Sequence, residues 1–280
     1  MKPAAFEIAR PASVAEATRL LAEHSGAARV VAGGQSLGPM LNLRLTQPRL
    51  LIDLAGIPEL ARVEHGSDHI TLGACVTTAD VEDGRVGAEG FPMLAQVAAR
   101  IAYRAVRNRG TVGGSLCHAD PAADWVAALS ALDAEAIITD GTRQTAMPVA
   151  HFVRGAFETA LGPGEILHAI RIRKPSPSSR WGYYKVCRKA GEFALAIGAV
   201  YSDPDRGVFR AVMGATSGQP IVVEDTSTLF AGARDIASAG PLDKSAAAHL
   251  LAASGRELDG IRRSLHLTAL TRAAAEARRQ

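Results

Sequence analysis

The chain has 280 residues, of which 48% are hydrophobic and 21% charged, the composition of an ordinary globular protein whose length favours two domains over one or three. Its 31 basic and 28 acidic side chains leave a net charge of +3, which excludes a surface that binds polyanions by bulk charge and gives no reason to expect a nucleic-acid partner. Aromatic residues make up only 5%, so the core has to be built from Ala, Val, Leu and Ile.

Ser13 and Glu16 are spaced as a capping box, whose hydroxyl and carboxylate satisfy backbone donors of a first helical turn. They predict a helix continuing through residues 17–22. Residues 29–32 read as a short buried strand that runs into Gly33 and Gly34, and 50–54 and 69–74 as two further strands. Leu94, Val97, Ala98, Ile101 and Ala102 share one face of a helix over 91–107, stopped by Asn108, Arg109 and Gly110. Asp120 and Pro121 are the pair expected at an N-cap and first helical position. The helix they predict runs through Trp125 to about 132, with Asp124 on the same face as Asp120.

Residues 134–138 and 165–173 read as strands, the second closing a first domain. Two prolines and three serines in 174–179 can continue neither a helix nor a central strand. The boundary between a domain 1–175 and a domain 176–280 is placed there. Beyond it, 181–188, 193–201 and 208–215 read as strands, with a turn over 203–207. The Ala/Leu/Arg-rich tail 243–280 is mostly helical in period. Helices and strands without a regular βαβ alternation point to an α+β fold.

Two glycine turns carry the strongest chemical signal. In Ala32-Gly33-Gly34-Gln35-Ser36 a strand enters a turn with no side chain at its tightest point, so successive N–H groups can converge on one anion. Gln35 and Ser36 add donors at the rim. Thr111-Val112-Gly113-Gly114-Ser115 repeats that logic about eighty residues on, and two such nests could hold two parts of one elongated anion. Each is equally readable as a plain tight turn. Neither the dinucleotide fingerprint nor the P-loop pattern occurs, so local physics supports anion-binding loops and does not select a flavin.

The longer motifs are more specific. Ala32-Gly33-Gly34-Gln35-Ser36-Leu37, followed by Met40, Leu43-Arg44-Leu45 and Leu51-Ile52-Asp53-Leu54, resembles the first FAD motif of the molybdenum hydroxylase flavoprotein subunits, the medium subunits of the carbon monoxide dehydrogenase and xanthine dehydrogenase group. Arg107 to Leu116, with His118-Ala119-Asp120-Pro121-Ala122-Ala123-Asp124, is similar to their second motif. The likeness extends to Lys185 and Phe193-Ala194-Leu195-Ala196 and thins after about residue 220.

The resemblance implies a two-part FAD-binding domain, then a C-terminal domain of antiparallel sheet and helices. It implies that residues 32–36 and 111–115 cradle the FAD diphosphate and ribityl chain. Asp124 corresponds to an acidic position near the flavin, Leu167 to an apolar contact and Lys185 to a polar contact near the ring. Gln35 stands where the family often has His, and both can donate to a phosphate. Arg44 and Arg107 read as structural ion-pair partners.

Scattered Cys75, Cys117 and Cys187 argue against a disulfide framework and for a reducing compartment, and no C-x-x-C pair exists to seed a zinc or iron–sulfur site. His65 and His69 have a metal-like spacing but fall in a polar turn, so no metal site is expected. With no secretory leader and no stretch long enough to span a bilayer, the expectation is a cytoplasmic protein.

The implied function is an electron relay. A large subunit would hold the molybdenum cofactor, a small one the [2Fe–2S] clusters, and this chain the FAD, in a dimer of heterotrimers. A self-sufficient FAD-dependent oxidase and a non-catalytic nucleotide-binding adaptor are the alternatives.

Overall fold

In the computed structural model of the chain, which describes residues 2–87, 91–254 and 258–280, the first fifty residues form a small parallel sheet. β1 (Glu7–Ala9), α1 (Val14–Glu23), β2 (Ala28–Val31), α2 (Leu37–Asn42) and β3 (Leu50–Asp53) follow one another, with β3 paired in parallel to both β1 and β2. A local βαβαβ unit therefore stands where no regular alternation is expected, because strands of three or four residues are too short to register a period. Ser13 caps α1 by accepting from the Glu16 N–H at 3.2 Å. The Glu16 carboxylate turns back instead to the N–H of Ala12 at 2.8 Å, one residue beyond the box position.

The second part opens with β4 (Val63–His65) and β5 (His69–Gly73), then turns helical: α3 (Thr78–Glu82), α4 (Pro92–Ala99), α5 (Arg104–Arg107), α6 (Val112–His118) and α7 (Asp124–Ala131). β6 (Glu135–Thr139), β7 (Gln144–Pro148), the single turn α8 (Val149–Phe152), the ribbon β8 (Val153–Gly155) and β9 (Glu158–Thr159), and the long β10 (Ile166–Arg173) complete it. The sheet is antiparallel in the order β4-β5-β10-β6-β7. β10 thus ends this part of the chain but lies at the centre of its sheet. His65 and His69 belong to the two strands of an edge hairpin closed by the Gly66 N–H on the His69 carbonyl. Among the described residues no His/Cys/Asp/Glu cluster could hold a metal.

Two helices differ from the sequence expectation. The helix expected over 91–107 is broken at Ala102, which has φ 44°. There Arg107 Nη1 takes the carbonyls of Ile101 and Ala102, at 3.0 and 3.1 Å. The helix expected from Pro121 begins at Asp124, with Ala123 as its cap. Asp120 instead closes a turn, accepting from the Ala122 N–H at 2.9 Å, so it does not share a helical face with Asp124.

The last part is an antiparallel sheet of β11 (Arg180–Val186), β12 (Ala196–Asp203), β13 (Val208–Gly214) and β14 (Ile221–Val223), paired in chain order. Two helices, α9 (Lys244–Ala253) and α10 (Gly260–Arg278), supply the helical tail; residues 255–257 of that stretch lie outside the described residues. Buried Ala269, Ala273 and Ala277 bring α10 down onto β11 and β12. The approach is close enough that a Cβ on Gly182 would fall inside the Ala273 carbonyl.

α7 packs against β12 and β13. One apolar cluster therefore runs from Leu94, Leu116 and Leu129 to Tyr183, Ile197 and Val212, tying the helices of the second part to the last sheet. The 174–179 segment is pinned: the Ser176 N–H and Oγ both donate to buried Asp203, at 3.0 and 2.6 Å, beside Tyr201 Oη at 2.9 Å. No described helix is long and apolar enough to cross a membrane.

Candidate functional site

The two glycine loops meet. β2 delivers the first, and a Cβ on Gly33 would fall inside the Arg109 carbonyl, just ahead of the second. Gly34 turns the chain at φ +70°, a region side chains rarely enter. The Gln35 side chain folds back to donate to the Gly33 carbonyl at 3.1 Å. Among the described residues, the N–H groups of Gly33, Gly34, Gln35 and Ser36 meet no acceptor. Four such donors on one turn are the signature of an anion cradle.

The second loop is not a second nest. Thr111 caps α6 by accepting from the Gly114 N–H at 3.0 Å, the Gly113 N–H donates to the Ala74 carbonyl at 3.0 Å and the Ser115 N–H to the Thr111 carbonyl at 3.1 Å. Its donors are spent on starting a helix, and Gly113 is needed because its would-be Cβ sits 2.5 Å from that of Ala74. What this loop offers the first is proximity and the Ser115 hydroxyl.

Between the loops opens a cavity of about 860 Å³, within the size range of cofactor sites. Ala32, Gly33, Gly34, Gln35, Ser36, Thr111, Gly113, Gly114, Ser115, Asp124 and Leu167 all line it. Val112 does not: its side chain is fully buried in the apolar cluster. Lys185 does not reach the wall either. It lies behind Asp124, with Nζ 2.9 Å from Asp124 Oδ2 and 3.0 Å from the Arg100 carbonyl.

Asp124 is therefore a buried carboxylate with both oxygens occupied, since Tyr183 donates its hydroxyl to Oδ1 at 2.7 Å. Burial pushes its carboxyl up, against the pull of the Lys185 ammonium and the Tyr183 hydroxyl. The Tyr183 hydroxyl is itself pushed well up by burial and by the adjacent carboxylate, so it stays a proton donor. Tyr183 is absent from the sequence expectation, although its i,i+2 spacing from Lys185 on a strand puts both side chains on one face.

Other lining groups were not foreseen. Ile101 and Ala102 come from the break between α4 and α5, and Gly191, Glu192 and Phe193 from the loop before β12. Phe157 and Phe193 are 65% and 63% exposed, giving the cavity an apolar rim. His118 lies with its ring centroid 5.2 Å from that of Phe157, and burial lowers its pKa below the ordinary imidazole value. Arg107 also borders the cavity, but its guanidinium is held by Glu82 at 2.7 and 2.8 Å, the ion pair expected of it. Arg44 forms none among the described residues; it donates to the Lys2 carbonyl at 3.2 Å.

A donor-rich glycine turn, a largely apolar cleft and one buried carboxyl group with both oxygens paired fit a flavin dinucleotide. The sequence pattern described as the FAD binding domain in molybdopterin dehydrogenase matches residues 4–175. Among relatives, the caffeine dehydrogenase subunit beta of Pseudomonas sp. (strain CBB1) is 36% identical over 71% of this chain and 68% of its own length. The nicotine 6-hydroxylase medium subunit of Paenarthrobacter nicotinovorans is 34% identical over 83% and 82%. Among solved structures, a chain of the reconstituted CO dehydrogenase from Oligotropha carboxidovorans superposes with a TM-score of 0.88 at 29% identity, covering 100% of this chain and 99% of that one. The chain belongs to the FAD-binding medium-subunit family of the molybdopterin dehydrogenases.

Proposed function

We propose that this chain is the electron-transfer subunit of a multi-subunit molybdenum hydroxylase. Electrons from [2Fe–2S] clusters on a small partner would reach FAD held here and leave for an external acceptor, while a large partner carries the molybdenum cofactor and selects the substrate. A dimer of such heterotrimers in the cytoplasm is the assembly we infer, with the 1–175 portion holding the cofactor and 176–280 backing it. The observation that carries the reading is the cavity between the two glycine loops in a chain of this family. Bound FAD supplies a centre that can accept electrons singly and release them singly or in pairs.

The chain's own residues bind and insulate. The free N–H groups of residues 33–36 would meet the diphosphate, helped by the Ser36 and Ser115 hydroxyls. Leu167 and Trp125 supply apolar wall. Asp124, held by Lys185 and Tyr183, presents a carboxyl group with both oxygens already paired. Lys185 thus acts through Asp124 instead of touching the cofactor. Among the described residues no side chain lining the cavity is paired as an activated nucleophile, which favours a carrier over a self-sufficient oxidase.

Expressing the chain with its neighbouring subunits and purifying it by a tag on this chain tests the reading. One FAD per chain, recovered with a large molybdenum subunit and a small iron–sulfur subunit, is the expected result. A flavin-bearing chain alone that oxidises small molecules would replace this account with the oxidase.

A further inference from the structure

We infer that a second concavity, where α10 meets β11 and the C-terminal end of α4, is a binding site for a phosphate-bearing ligand. It has a volume of about 380 Å³ and is formed by Arg100, Tyr184, Arg272, Ala275, Glu276 and Arg279. Three arginines line it. Arg272 lies over the Tyr184 ring, 4.7 Å from its centroid, and donates to the Tyr184 hydroxyl. Arg100 spends one Nη1 donor on the Tyr183 carbonyl at 2.8 Å.

Among the described residues, none of the three guanidiniums has a carboxylate within ion-pairing distance, unlike Arg85, Arg104, Arg107 and Arg210. The one acid in the concavity, Glu276, is already committed. Its Oε1 accepts from Gln96 Nε2 at 2.8 Å and its Oε2 from the Tyr183 N–H at 3.2 Å.

Three arginines against the single carboxylate of Glu276 leave the concavity with an excess of positive charge. A phosphate offsets that excess and matches the planar donor forks of guanidinium groups. The Tyr184 and Arg272 stack gives a flat surface beside the charges, and the volume admits a mononucleotide as well as free phosphate.

The site has a route to the cavity. Arg100 lines the concavity, while its backbone carbonyl accepts from Lys185 Nζ, which holds Asp124 on the cavity wall. A ligand that draws on Arg100 therefore pulls on the residue that positions the Asp124 partner. This step rests on the FAD reading, whereas the binding site itself does not.

The test is calorimetric titration of the intact flavin-loaded assembly with inorganic phosphate, pyrophosphate and AMP, against sodium chloride at matched ionic strength. The paired variant R272Q/R279Q leaves every residue of the glycine-loop cavity in place, and thermal unfolding checks that α10 keeps its stability. Saturable binding, weakened at least about tenfold in the variant with its FAD content unchanged, is expected. AMP binding more tightly than phosphate would identify a nucleotide as the source; equal affinities would identify free phosphate. No saturable binding of any of the three, or the same affinity in a folded variant, overturns the site. A ligand that binds but leaves the flavin spectrum and potential unchanged overturns only the route through Arg100.

Discussion

Lys185→Met removes the ammonium facing Asp124 while keeping most of the bulk of its stem. The Lys185 and Asp124 side chains are 4% and 7% exposed, so solvent screens the pair little. Stripping such a pair of one partner costs about 3–5 kcal/mol, because a buried charge is left without compensation. The cost depends on pH in a defined direction. Burial already holds the Asp124 carboxyl above its ordinary value, and losing the ammonium raises it further.

For a group whose pKa is higher in the folded state, the associated stability is complete below the unfolded value. It is lost as pH rises through the folded value. The penalty of Lys185→Met should therefore be smaller at pH 5, where more of the raised Asp124 carboxyl is protonated and lost hydrogen bonds make up more of the cost. At pH 8 the full penalty should appear. Urea unfolding at the two pH values reads the difference, and Asp124→Asn in the same background should recover most of it. A destabilisation that is the same at both pH values, or that Asp124→Asn does not relieve, would refute the buried-pair reasoning.

Gly33→Ala drives a methyl into the Arg109 carbonyl and separates the two loops; FAD content, read from absorbance after gel filtration, should fall below a tenth of the parent. Gly114→Val, whose Cβ would sit 2.7 Å from Thr111 Oγ1, breaks the cap of α6 at a cost of about 1 kcal/mol and should also release FAD while the assembly still forms. Arg107 holds the Glu82 carboxyl below its ordinary value. The stability this gives is present above the unfolded value and fades as pH falls, so Glu82→Gln should lower the melting temperature at pH 6, and the gap to the parent should narrow as the pH is lowered. Asp203→Ala frees Ser176 and Tyr201, and limited proteolysis should then cut within 174–179 several times faster.

Much of the fold is legible where side chains repeat with a clear period. The helix after Ser13, the strands at 50–54, 134–138 and 165–173, and the three hairpin-linked strands after 180 lie within a residue or a few of their expected places. The misses have local causes. At the break at Ala102 a side chain five residues on, Arg107, takes two backbone acceptors; apolar spacing through Ile101 carries no trace of it. Asp120 and Pro121 have the chemistry of a helix start, but the left-handed Ala119 directs them into a turn.

Glycine content alone also does not separate a nest from a helix start. Loop 32–36 keeps its donors free and loop 111–115 spends them, and the deciding element is the Thr111 hydroxyl. The site residues assemble because β2 and the turn before α6 converge, which only tertiary packing fixes. Tyr183, which completes the Asp124 cluster, was readable from strand alternation once Lys185 had been singled out.

Flavin dependence of electron exit tests the central claim most directly. The assembly containing Gly114→Val, purified without FAD, and the parent assembly are each reduced with dithionite. Each is then mixed with whichever acceptor, NAD or a quinone, reoxidises the parent. Freeze-quench EPR follows the [2Fe–2S] signals. Clusters in the parent should be reoxidised rapidly and those in the flavin-free assembly should stay reduced; equal reoxidation in both would contradict the relay.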